Sequence, residues 1–150
     1  MANDLVIVVN GEAVKCDFMD TILKFDSMEN ISEAAARVAQ WGSIVALAAE
    51  KADLLDANYR SWFSSAMLAV MQQGGDKTAE WKVKAAVEGG PGAQQFLKFK
   101  TEIAAAQKDL SLAQGMLQGY IHKAKLLESM GWKVAAESRA ADSYPMVYKH

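Results

Sequence analysis

Basic and aromatic residues interleave in the middle of this chain. Lys51, Tyr59, Arg60, Trp62 and Phe63 come first; Lys77, Trp81, Lys82 and Lys84 follow across Gly74-Gly75. Lysine and arginine neutralise phosphates, and aromatic rings stack under unpaired bases. Together they hold a single nucleic-acid strand without reading its sequence. Tyr59 and Trp62 also fall on an apolar helical stripe, which directs them toward a core. Trp81 is less clearly periodic and is the candidate stacking residue. Lys51, Arg60, Lys77, Lys82 and Lys84 are the candidate phosphate contacts.

Other chemistry has less to work with. The two histidines are His122, among helical lysines, and the terminal His150. No pair has metal-ligand spacing, and neither metal nor other cofactor is expected. Cys16 is the one cysteine, so no internal disulfide can form, which fits a reducing cytoplasm. The glycine pairs lack the lysine and hydroxyl of a phosphate-binding loop. No nucleophile, base or acid falls into a catalytic pattern, and the chain is not expected to be an enzyme. Leu5 to Val9 is too short for a signal peptide, and no apolar run reaches membrane-spanning length.

These residues need a scaffold. With 150 residues, 51% of them hydrophobic and only two prolines, the composition suits one helical domain. The net charge of −2 conceals an asymmetry. Residues 1–60 are acidic, whereas lysines gather at 77–84, 98–108 and 123–125. Such clusters also serve as ordinary solvated helix faces.

The pattern predicts a mainly α chain, an elongated bundle or coiled coil. Leu5-Val6-Ile7-Val8-Val9, then Asn10-Gly11, then Glu12 to Cys16 is a β-hairpin signal, because both turn residues tolerate positive φ. This hairpin, at 5–16, must pack on helices or pair with another chain. A long helix is expected at 30–73, N-capped by Ser32, and a medium one at 76–88, capped by Asp76 or Thr78. Gly89-Gly90-Pro91-Gly92 ends that helix and starts another over 92–131. Residues 132–150 are expected as a short helix and then a tail, irregular at Ser143-Tyr144-Pro145.

The last long helix carries Phe96, Phe99, Ile103, Ala106, Leu110, Ala113, Leu117, Tyr120, Ala124 and Leu127 in steps of three and four. That spacing is a helix–helix seam. Phe96, Phe99, Ile103, Leu110, Leu117, Tyr120 and Leu127 are accordingly assigned to contacts between copies, giving a homo-oligomer. Gly115 and Gly119 lie beside the seam.

A resemblance rests on the order of several segments. Glu33-Ala34-Ala35 leads through Val38 to Trp41. Glu50-Lys51 and Leu54-Leu55-Asp56-Ala57-Asn58-Tyr59-Arg60-Ser61-Trp62 follow. Lys77-Thr78-Ala79-Glu80-Trp81-Lys82 comes after a glycine break, and Leu127-Glu128-Ser129-Met130-Gly131-Trp132 closes the long helix. Over about residues 26–135 the chain resembles phage recombination mediators of the UvsY type. The resemblance implies a ring-like homo-oligomer in the host cytoplasm. It implies binding of single-stranded DNA, and help for a RecA-type recombinase in displacing the single-strand-binding protein. Asp56 and Asn58 stand where the family has a lysine and an arginine that contact DNA; Lys82 matches a basic position better. The alternative is a helical phage interaction or assembly protein, or an inhibitor of a host defence, with no nucleic-acid role.

Overall fold

Asn10 and Gly11 adopt φ of 52° and 81°, the left-handed pair of a two-residue hairpin turn. They join β1 (Val6–Val9) to β2 (Glu12–Lys15), antiparallel, with Val9 opposite Glu12 and Val6 opposite Lys15. The computed structural model describes residues 5–24, 30–74 and 79–142. Along β1 the side chains alternate: Ile7 and Val9 are buried, Val6 and Val8 exposed. A 3₁₀ turn, η1 (Phe18–Thr21), follows, with Asp17 accepting the Met19 N–H at 3.1 Å.

Three helices make up the rest: α1 (Ile31–Gly74), α2 (Glu80–Gly89) and α3 (Ala93–Asp142). The N-cap of α1 is Asn30, not Ser32. Its Oδ1 accepts the Glu33 N–H at 2.8 Å, two residues earlier than expected. α2 starts after Ala79 without a side-chain cap, and Asp76, Lys77 and Thr78 lie outside the described residues. Gly90 closes α2; a Cβ there would collide with the Ala86 carbonyl, so the tight exit requires glycine.

α1 and α3 run antiparallel. Trp41 clusters with Met116 and Tyr120, while Tyr59 meets Phe96 and Phe99 near the other end. The hairpin lies on this pair as part of the core and is not a free arm. Ile7, Val9 and Cys16 join Trp41, Ile44, Ala113, Met116 and Tyr120 in one buried cluster. Burial raises the Cys16 thiol above its usual pKa, with Asp109 adding to the shift.

Gly115 and Gly119 seat η1 on α3. A Cβ on Gly119 would lie 2.8 Å from the Thr21 side chain, and one on Gly115 would lie 3.2 Å from the Phe18 ring. Asp20 is thereby brought over α3. Its carboxylate accepts the Tyr120 hydroxyl, and its carbonyl accepts the Lys123 ammonium at 2.6 Å. Lys123 is only 5% exposed. Burial, followed by the Asp20 bond and charge, raises the Tyr120 pKa far above its usual value.

α3 does not stop at Gly131. It continues through Trp132 to Asp142, so the short helix expected after Trp132 is the end of α3 itself. Gly131 costs about 1 kcal/mol against alanine, but Lys133 to Arg139 contains good helix formers that carry the helix on. From Glu128 to Ala140 every residue except Ala135 is exposed. Residues 143–150 lie outside the described residues.

Candidate nucleic-acid interface

α2 is amphipathic for a simple reason. Val83 and Val87, four apart, are buried at 0% and 3% exposure, which turns the intervening positions outward. Trp81 is left 68% exposed. The Lys82 ammonium sits 5.5 Å from the centre of the Trp81 ring. Neither residue contributes to the core, and Lys82 makes no ion pair among the described residues. This is the one place where a candidate cation and the candidate ring are displayed together.

The other candidates are placed differently. Lys84 lies 3.9 Å from Glu88, one turn along α2. Arg60 is ion-paired to Asp56 at 2.7 Å, one turn back on α1. Both pairs are on exposed helix surface, where such contacts are weak and screened by salt. Arg60 and Lys51 are nine residues apart, which places them about half a turn apart around α1. Lys51 borders a shallow cleft beside Asn10 and Gly11, so Arg60 points away from the hairpin. The cations therefore do not share one face of the subunit. Lys77 lies outside the described residues.

The seam of α3 divides into two rows with a seven-residue spacing. Phe99, Ala106, Ala113, Tyr120 and Leu127 form the row that includes the buried positions Ala106, Ala113 and Tyr120. This row meets α1 and the hairpin of the same chain: Phe99 packs 5.4 Å from Trp62, and Tyr120 belongs to the core cluster. Phe96, Ile103, Leu110 and Leu117 form the second row, and each remains half-buried. Phe96 touches Tyr59, and Leu117 packs against the core edge. The assignment of the whole seam to other copies is thus corrected: much of it is occupied within the chain. One periodicity serves both uses, so sequence alone could not separate them.

Two features escaped the sequence. Lys100 lies over the Tyr59 ring at 4.5 Å and within 5.6 Å of the Phe96 centre. Its position four residues after Phe96 was the available signal. The second is a cavity of about 450 Å³ beside the start of α1, bordered by Asp20, Glu33, Arg37, Tyr120, Lys123 and Leu127. Its carboxylates and cations are mutually compensating, and nothing in the sequence places Asp20 near Lys123.

Comparison of the chain with protein-family models, with curated proteins and with solved structures finds no match. Among the described residues no helix is long and apolar enough to cross a membrane, and no group of three potential metal ligands occurs.

Proposed function

We propose that this chain binds single-stranded DNA through the outer face of α2, as a subunit of a homo-oligomer. Its role is that of a recombination mediator, which helps a RecA-type recombinase replace the single-strand-binding protein, and it performs no catalysis. The observation that carries the DNA contact is the exposed Trp81 ring with Lys82 beside it. A base stacked on such a ring contributes about 1–3 kcal/mol, and a lysine adds a phosphate contact that weakens with salt. The mediator role rests on the UvsY-type order of segments.

One subunit offers a small, divided basic surface. Repetition around an assembly supplies what it lacks, because several weak sites on one strand act at a high effective concentration. The half-buried row of Ile103, Leu110 and Leu117 is the apolar surface left for such an assembly. Fluorescence anisotropy with labelled single-stranded and duplex DNA tests the proposal. Preference for the single strand, a steep salt dependence and about fivefold or greater loss on Trp81→Ala are expected. No binding at low salt would refute it.

A second reading is favoured by the exposed end of α3. Met130, Trp132 and Val134 are exposed at 45%, 68% and 65%. Apolar side chains of that size on a projecting helix suit a protein partner. The interaction-protein alternative predicts assembly or partner binding with no DNA affinity, and the same titration separates the two.

A further inference from the structure

We infer that Tyr59, Phe96 and Lys100 form a second contact for the strand, in which the two rings take an unpaired base and Lys100 takes the adjoining phosphate. This rests on the single-stranded DNA reading and adds a site outside α2.

The rings belong to a group drawn from both long helices. Tyr59, Trp62 and Phe63 come from α1, and Phe96 and Phe99 from α3. Tyr59 is at the centre, with its neighbours' ring centres 5.6–6.3 Å away. Two other aromatics of the same helix pair are sealed: Trp41 is 4% exposed and Tyr120 3%. The hairpin and η1 cover that end. At the Tyr59 end all five rings are only half-buried. Over Tyr59 and Phe96 lies the Lys100 ammonium.

Lys100 is exposed and makes no ion pair among the described residues. It lies sixteen residues before Met116, about half a turn around α3, so it leaves on the side away from the hairpin. Arg60 leaves α1 on that side too, although Asp56 neutralises it. An ammonium resting on an exposed ring is held loosely. A base has the larger flat surface and can displace it from Tyr59. The lysine stem is long and flexible, so the displaced ammonium remains within reach of the backbone of the same nucleotide. The exchange replaces a cation–ring contact with base–ring stacking and a charge-assisted phosphate contact. A duplex cannot make it, because its bases are already stacked and paired.

The experiment uses the full chain and a thymidine homopolymer carrying 5-iodouracil. For Lys100→Gln we expect about threefold to tenfold weaker binding at low salt, and a salt slope smaller by about 0.7, the value for one phosphate on a single strand. Lys108→Gln, the control, should leave the slope unchanged. Ultraviolet cross-linking should mark the peptides holding Tyr59 or Phe96 as well as the one holding Trp81. Unchanged affinity and slope in Lys100→Gln, with adducts at Trp81 alone, overturn this site and leave the α2 proposal standing. Loss of all binding by the unmodified protein overturns both.

Discussion

The Tyr120 hydroxyl donates to the carboxylate of Asp20 across 100 positions of sequence. One turn along α3, Lys123 donates to the carbonyl of the same aspartate at 2.6 Å. Asp20 is therefore held twice, and through it η1 and the hairpin are tied to the long helix. A hydrogen bond to a charged group contributes about 1.5–3 kcal/mol when its partner has little access to water.

Tyr120→Phe removes one of these ties without creating a cavity. We expect a loss of about 1–2 kcal/mol, discounted for the partial exposure of Asp20, measured as a shift in the urea midpoint at constant slope. An unchanged midpoint would mean that the bond exchanges evenly with water.

The same residue gives a pH dependence. The folded state raises the Tyr120 pKa above the usual value near 10, so the unfolded chain releases this proton first. With fewer protons on the unfolded state, stability falls as pH increases. The contribution is fully present below pH 10 and is lost progressively above it. Stability should therefore fall more steeply above pH 10 in the wild type than in Tyr120→Phe, which lacks this proton. Equal alkaline slopes in both proteins would exclude the effect.

One substitution made at two glycines should have opposite signs. Gly42 lies within α1 with open space where a Cβ would go. Gly42→Ala should stabilise by about 0.5–1 kcal/mol through helix propensity. Gly119→Ala places its methyl against Thr21 and must displace η1, at a cost of about 1–3 kcal/mol. Thermal melts of the two variants, side by side, decide it.

The start of α1 can be checked in the same way. Asn30→Ala should cost about 1 kcal/mol because Asn30 caps the Glu33 amide, while Ser32→Ala should change little. The reverse ranking would move the cap back to Ser32.

Assembly has its own variant. Leu110→Glu puts a charge into the half-buried row of α3. Light scattering should then report a smaller particle with helical circular dichroism retained. A wild-type monomer would remove the basis for a shared DNA surface.

What could be read from sequence followed the range of the interactions. The hairpin was legible because Asn10-Gly11 and its two apolar runs are a local signal. The long helices were legible from their periodicity. The cap of α1 falls on Asn30, two residues before Ser32, because asparagine and serine compete for the same role within one turn. The end of α3 is not legible at Gly131, which can stop a helix or be tolerated in one, and its environment decides. The duty of Gly115 and Gly119 was hidden, since it depends on Phe18 and Thr21, far away in sequence. Of the proposed contacts, Trp81 and Lys82 stand together, whereas Arg60 and Lys84 face carboxylates that i,i+4 spacing already offered.

α1 begins at Ile31, opposite the neighbourhood of Leu127, and α3 continues for about four further turns. A solitary helical stretch of that length is marginal in water. Its amide hydrogens are therefore a gauge of company. In dilute solution they should trade with deuterium far faster than those around Ala113, and any copy or partner that settles on Trp132 should slow them.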